Sequence, residues 1–344
     1  MRLIKNKYLF AGMVITGFFL LSYFVIPPLF TLNYKIDGQD AMSEISSNGR
    51  LNTEFPKVAA HINTPLQVKA IYMTNWVAGE KLLRSALVKI ADETEINSIV
   101  IDIKDYTGRI AFEVSDPLLK EFGAYERRIA DIKGFMEELH SKNIYVIGRI
   151  SVFQDHYLVG RRPELAVRRK SDGKVWKDFK GISWLDPGSK DVWNYVVALA
   201  KESYGVGFDE LNFDYIRFPS DGNMKDIHYT WSNGKQKTEV IREFFAYLRE
   251  NLGNIGVPLS ADLFGMTTAS TDDLNIGQTL ENALKYFDFV SPMVYPSHYP
   301  NGFNGYPNPA AKPYEVVKFA LDSAVERAIK ASTTPLKLRP WLQD

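Results

Sequence analysis

Residues 207–219, Gly-Phe-Asp-Glu-Leu-Asn-Phe-Asp-Tyr-Ile-Arg-Phe-Pro, place a carboxylate directly before an aromatic residue and an arginine. Polar and apolar residues alternate here, which predicts a strand with Glu210, Asn212 and Asp214 on one face. Asp214 ends this strand, since the proline beyond it cannot continue a ladder of hydrogen bonds. A carboxylate at the end of a strand suits a catalytic group, but it also fits a turn cap or an ion pair with Arg217.

Two carboxyl groups with different protonation states are what hydrolysis of a glycosidic bond requires. We predict Asp214 as the ionised nucleophile, because neighbouring cations lower the pKa of a carboxylate. Those cations are Arg217, close in sequence, and Arg149 or Lys104 across the fold. Asp262 stands between alanine and leucine, where desolvation would raise its pKa, and we predict it as the acid. A helix N-cap or a buried hydrogen-bond acceptor is the alternative for Asp262.

Further polar and aromatic residues follow the other predicted strands. Aromatic rings suit sugars, which have apolar C–H faces, although each ring alone also fits ordinary packing. Asp102 and Asp105 are alternatively expected to hold Lys104 or Arg149. The predicted substrate-binding residues are Asp102, Asp105, Arg149, Asn212, Tyr215, Arg217, Tyr295, His298 and Trp341.

The elements that must position these residues are seven β-rich segments alternating with amphipathic helical stretches. Leu83, Leu87 and Ile90, for example, recur at helical spacing after the first segment. This alternation predicts an α/β fold, a TIM-type (β/α)₈ barrel whose eighth strand is missing at the C-terminal end of this chain. A doubly wound sheet is the alternative, but residues 75–79 lack its G-x-G-x-x-G turn. The predicted strands cover residues 69–74, 98–103, 144–150, 210–214, 258–263, 288–294 and 336–341.

The N-terminal region predicts a membrane anchor. Residues 8–26 carry no charge and follow three basic residues. At about 1.5 Å per residue this run spans a hydrocarbon core of about 30 Å. We predict a single-pass signal anchor within residues 1–32, with a cytoplasmic N-terminus and the catalytic domain outside the cell membrane. A cleavable signal peptide is the alternative, although no clear small-x-small site follows. Residues 33–66 predict a linker to a barrel over residues 67–344.

Composition and missing motifs exclude several kinds of chemistry. The 344-residue chain has a formal net charge of +0 and no cysteine. We therefore expect no nucleic-acid partner, and disulfides, thiolate metal sites and a cysteine nucleophile are excluded. No H-E-x-x-H zinc motif, G-x-S-x-G elbow or P-loop occurs, so we expect no cofactor. A carboxylate metal site of Asp102, Asp105 and Asp214 stays open as an alternative.

The sequence resembles a family of bacterial glycoside-hydrolase-like barrel domains, formerly classed as domains of unknown function and distantly similar to the α-amylase superfamily. The resemblance covers roughly residues 68–344. It implies hydrolase chemistry. The segments that carry it are KAIYMT (69–74), IDIKD (101–105), WLDPG (184–188), residues 207–219, SPMVYP (291–296) and LRPWLQD (338–344).

Asp214 matches the fourth-strand aspartate that is the nucleophile in the amylase pattern. The acid of that pattern is usually a fifth-strand glutamate, and this chain has Asp262 instead. An arginine normally stands two residues before the nucleophile, where this chain has Asn212. The seventh-strand aspartate of the pattern corresponds to Asp344.

These observations together predict a membrane-anchored, extracytoplasmic glycoside hydrolase that acts on a cell-envelope or extracellular polysaccharide. A non-catalytic carbohydrate-binding barrel would keep the aromatic residues without the acid. A carboxylate–metal-dependent hydrolase is the other alternative.

Overall fold

Seven parallel strands form one curled sheet in the computed structural model, which describes residues 59–343. Neighbouring strands pair in chain order, as consecutive βα units require. The sheet is a TIM-type barrel that lacks one strand, which confirms the predicted fold class. The strands are β1 (Ala70–Met73), β2 (Ser98–Lys104), β3 (Tyr145–Ser151), β4 (Glu210–Asp214), β5 (Leu259–Phe264), β6 (Phe289–Val294) and β7 (Trp341–Leu342).

Helices connect successive strands and cover the outside of the sheet. A two-residue antiparallel ribbon, Arg168–Arg169 with Ile227–His228, joins the loop after β3 to the loop after β4. In the described part of the chain the α-helices are α1 (Asn75–Gly79), α2 (Lys81–Glu93), α3 (Pro117–Phe122), α4 (Ile132–Ser141), α5 (His156–Arg161), α6 (Lys190–Val206), α7 (Lys237–Leu252), α8 (Leu280–Tyr286) and α9 (Pro313–Lys330).

The apolar core lies between the sheet and these helices. Ile99, Ile101 and Ile103 of β2 are fully buried there, as expected for a strand that is covered on both faces. Gly148 of β3 lets the layers approach closely, because a Cβ atom at this position would lie only 2.3 Å from Ile103 Cδ1 and 2.7 Å from Phe208 Cδ1. This close packing fixes the position of the strands, whose opposite face carries the polar residues of the barrel interior.

β4 has the predicted bounds, and its alternation is confirmed. Gly207 ends α6 in the left-handed conformation, with φ of 117°, and donates its N–H to Ser203 O and Tyr204 O. Leu211 and Phe213 then pack in the core. The opposite face of β4 points into the barrel, which places its polar residues among those of the neighbouring strands.

Two sequence-based details are wrong. The seventh strand is limited to Trp341–Leu342, because residues Pro335–Lys337 form a 3₁₀ turn and Pro340 has no N–H to donate. In α2 the buried residues are Arg84, Val88 and Ala91, whereas the expected apolar face is largely exposed, Leu83 at 56% and Ile90 at 45%. α2 follows β1, an edge strand of the sheet, so it has fewer neighbours than a helix in a closed barrel.

The segment before β1 contacts the amino-terminal ends of the strands. Ile62 N donates to Asp209 Oδ1 at 2.9 Å, and Thr64 Oγ1 lies 2.9 Å from the hydroxyl of Tyr145. The predicted anchor at residues 8–26 and Asp344 lie outside the described residues. Within residues 59–343, no helix has both the length and the apolar character needed to cross a bilayer.

Candidate active site

Arg149 of β3 is the centre of a cluster of carboxyl groups from three nearby strands, β2, β4 and β5. Its Nη1 donates to Asp102 Oδ1 of β2 at 2.6 Å. Its Nε donates to Asp214 Oδ2 of β4 at 3.1 Å, and Nη2 bonds to the same oxygen. Asp262 Oδ2 of β5 lies 3.6 Å from Nε. Four neighbouring strands therefore bring one guanidinium and three carboxyl groups together inside the barrel.

The charges in this cluster do not balance if all three carboxyl groups are ionised. Burial disfavours the charged form of Arg149, but Asp214, Asp102 and Asp262 together hold its pKa well above the ordinary value. Burial also raises the pKa of Asp102, against the opposing effects of Arg149 and the Tyr72 hydroxyl. One positive charge in a buried site favours a proton on at least one of the carboxyl groups.

Asp262 is the carboxyl group whose surroundings most favour a proton. Its side chain is 1% exposed, and burial, followed by the charge of Asp214, raises its pKa to about 7. Oδ1 accepts hydrogen bonds from Asn212 Nδ2 at 2.9 Å and from Trp341 Nε1 at 2.8 Å. Oδ2 has no hydrogen-bond partner among the described residues.

Asp214 faces a cavity of about 330 Å³ at the carboxyl ends of β3 to β6. Tyr215, directly after it, has a left-handed backbone with φ of 52°, which is strained for a residue other than glycine. This turn directs Tyr215 N toward Asp214 Oδ1. The predicted site residues that line the cavity are Arg149, Asp214, Tyr215, Arg217, Tyr295 and His298.

Four other predicted residues do not line the cavity: Asp102, Asn212, Asp262 and Trp341. Asp102 bonds to Arg149, which does line it, and Asn212 and Trp341 both donate to Asp262. Trp341 is held by an edge-to-face contact with Tyr72, with 6.1 Å between ring centroids. These residues form the polar layer of the barrel beneath the cavity, where they fix the Arg149 and Asp262 side chains.

Asp105 lies outside this cluster. It pairs with Arg128 at 2.7 Å and accepts from the hydroxyl of Thr107. Lys104, expected as a possible neighbour of Asp214, instead forms a fully buried pair with Asp155 at 2.5 Å. Of the two cations expected across the fold, Arg149 is therefore the one that contacts Asp214.

Two residues of the site were missed by sequence reasoning. Tyr72 donates its hydroxyl to Asp102 Oδ2 at 2.5 Å, and its position in β1 could have indicated an inward side chain. Gln278 lines the cavity from a loop, where it accepts from Phe264 N and donates to the backbone carbonyl of Asp262. No pattern in the sequence identifies Gln278, because loop residues have no periodicity.

A cavity at the carboxyl ends of barrel strands, with paired carboxyl groups, is where a barrel enzyme places its active site. Residues 70–344 match the DUF4015 family, whose description is "Putative glycosyl hydrolase domain". The chain belongs to this family. The predicted resemblance and the assignment as a glycosyl hydrolase domain are thereby confirmed.

Two solved structures are similar to this glycosyl hydrolase domain. A hypothetical protein from Ruminiclostridium thermocellum is 42% identical, with a TM-score of 0.51, over 56% of this chain and 96% of its own. The PgaB (BpsB) glycoside hydrolase domain from Bordetella bronchiseptica is 13% identical, with a TM-score of 0.57, over 80% of this chain and 84% of its own. At that identity the second likeness shows the fold alone. No curated protein matches the sequence.

Proposed function

We propose that this protein is a membrane-anchored, extracytoplasmic glycoside hydrolase that cleaves a cell-envelope or extracellular polysaccharide. Membership of the glycosyl hydrolase family supports the reaction class. The uncharged run at residues 8–26, preceded by basic residues, supports the location. The aromatic residues that line the cavity, Tyr215, Tyr295 and Tyr299, suit a sugar substrate.

The observation that carries this proposal is the pair of carboxyl groups held in different environments by one arginine. Nε and Nη2 of Arg149 both donate to Asp214 Oδ2, so this carboxylate is paired with a cation. Asp262 is buried beneath the cavity, and burial raises its pKa to about 7. A carboxylate paired with a cation, beside a buried carboxyl group of raised pKa, is an arrangement that suits glycoside hydrolysis.

In this mechanism Asp214 is the nucleophile and Asp262 is the acid. Arg149 Nε lies 3.1 Å from Asp214 Oδ2 and 3.6 Å from Asp262 Oδ2, so these oxygens are no further apart than the sum of the two distances. That limit includes the spacing of retaining enzymes, about 5–5.5 Å, and reaches only the lower end of the spacing of inverting enzymes, about 6.5–9.5 Å. Asp262 does not line the cavity, so direct proton donation requires a change in its side-chain conformation when substrate binds.

The metal-dependent alternative would need Asp102, Asp105 and Asp214 to converge. Arg149 instead bridges Asp102 and Asp214, and Asp105 bonds to Arg128. Among the described residues no group of three or more histidine or carboxylate side chains is placed to hold a metal ion. The contacts of these three aspartates therefore favour the metal-independent mechanism.

The experiment is reducing-end release from a panel of bacterial envelope and extracellular polysaccharides by the full-length protein. We expect Asp214→Asn to lower kcat by about 10³-fold or more while oligosaccharide binding is kept. Asp322→Asn, on the exposed face of α9, is the matched control and should leave turnover unchanged. Unchanged turnover in an Asp214→Asn, Asp262→Asn double variant would show that the site is wrong. Sugar binding without turnover in wild type would favour the non-catalytic barrel.

A further inference from the structure

Arg217 lines the cavity and has no ion-pair partner within residues 59–343. Arg149 pairs with Asp102 and Asp214, and Arg339, elsewhere in the barrel, pairs with Glu210. Arg217 also lines the cavity, but no carboxylate of the described residues lies within ion-pair distance of its guanidinium. The positive charge of Arg217 is therefore not offset by a contacting carboxylate, in contrast to the charges of Arg149 and Arg339.

The nearby carboxylates are already engaged by other groups. Asp214 bonds to Arg149. Asp178 accepts from Lys180 N and Ile182 N through Oδ1 and from the Trp184 indole through Oδ2. Asp221 acts on Arg217 only through its longer-range charge. Burial therefore lowers the pKa of Arg217, although arginine remains charged.

The guanidinium of Arg217 is held in place with one edge free. Nη1 donates to Phe218 O at 3.0 Å and to Ser220 Oγ at 3.2 Å. The planar group also lies 5.0 Å from the Trp184 ring centroid and 5.5 Å from that of Tyr215. Nε and Nη2 donate to no group in residues 59–343. These two N–H groups form the parallel fork that binds a carboxylate with two hydrogen bonds.

We propose that the fork of Arg217 binds a carboxylate of the substrate, so that the glycan contains uronic acid units beside the bond that is cleaved. Sugar hydroxyls can accept the same hydrogen bonds, but they bring no charge to offset a partly buried cation. This inference rests on the proposed function, because it places the acidic sugar in the cavity of Asp214. It defines the substrate class as an acidic polysaccharide.

The test measures binding rather than turnover, with full-length Asp214→Asn protein and isothermal titration calorimetry. The probes are oligosaccharides of galacturonic, mannuronic and glucuronic acid, each compared with the same oligosaccharide after reduction of its carboxyl groups to alcohols. For at least one pair we expect the acidic form to bind about tenfold more tightly or better at low salt. The preference should shrink as salt screens the charge.

Variants of Arg217 on the same background assign that preference. Arg217→Gln should remove it, and Arg217→Lys should keep part of it, since lysine carries the charge without the fork. Arg161→Gln is the matched control, because Arg161 is exposed in the last turn of α5 and does not line the cavity. Equal affinity for both forms, failure of every acidic probe to bind, or a preference that survives Arg217→Gln would each overturn the inference.

Failure of this inference can be separated from failure of the proposed function. Hydrolysis of a neutral polysaccharide by wild-type protein, lost in Asp214→Asn, would support the hydrolase and overturn the acidic substrate. A tenfold preference for acidic probes without turnover of any polysaccharide would support the Arg217 subsite and contradict the hydrolase.

Discussion

Substituting Asp262 with asparagine removes the ionisable proton while nearly preserving the side-chain shape. In the folded protein the pKa of Asp262 is raised from 3.8 to about 7. The folded protein therefore keeps a proton that the unfolded chain releases at lower pH, so stability falls as pH rises between about 4 and 7. One pKa unit corresponds to about 1.36 kcal/mol, which gives a loss on the order of 4 kcal/mol above pH 7. The asparagine should not show this loss.

The assay is urea unfolding of wild type and Asp262→Asn at several pH values from 5 to 8. The asparagine can keep the bonds that Oδ1 accepts from Asn212 and Trp341, so the variants should differ mainly in charge. We expect the variant to gain stability relative to wild type as pH rises, by about 2–3 kcal/mol between the two ends. Asp322→Asn, which changes an exposed carboxylate, should follow wild type.

The same substitution tests the catalytic role of Asp262. If its proton is required, kcat/KM of wild type falls about tenfold per unit above pH 7, and Asp262→Asn has low activity without that limb. Parallel pH dependence of unfolding in the two proteins would refute the assignment of the proton to Asp262. If Asp262→Asn shows the expected pH-dependent gain in stability but an unchanged kcat/KM, Asp262 is a structural residue and its role as the acid is refuted.

The remaining predictions concern residues that support the site. Lys104→Met should destabilise the protein by about 3–5 kcal/mol in urea unfolding, because it leaves the buried carboxylate of Asp155 unpaired; equal stability would contradict a stabilising role for this pair. Trp341→Phe removes a hydrogen bond that lowers the pKa of Asp262, so the alkaline limb of kcat/KM should move to higher pH; an unmoved limb would contradict this contact.

Much of the fold could be predicted because its signals are local. β2 is nearly all apolar and is covered on both faces, and β4 alternates strictly because only one of its faces enters the core. The end of β4 therefore indicated Asp214 directly. Placement of Asp214 at the carboxyl edge followed from the barrel, since parallel strands present the same ends to the same side.

Partners across strands could not be predicted in this way. Lys104 ends β2 and Arg149 lies near the end of β3, and both carry a positive charge. Only the three-dimensional arrangement decides that Lys104 reaches Asp155 and Arg149 reaches Asp214. Exposure is equally non-local. Leu83 has a helical apolar pattern, yet it is exposed because α2 lies beside an edge strand. Periodicity predicts which side chains of a helix or strand share one face, but it does not predict what packs against that face.

Asn212 shows how a departure from the amylase pattern is compensated in space. That pattern has an arginine two residues before the nucleophile, on the same strand. Here the register of β3 and β4 pairs Arg149 with Asn212, and the Arg149 guanidinium bonds to Asp214. The cation is thus supplied by the neighbouring strand. Asn212 is then free to donate to Asp262, which an arginine at this position would oppose by favouring the ionised carboxylate. The exchange keeps a cation on Asp214 and allows Asp262 to stay protonated.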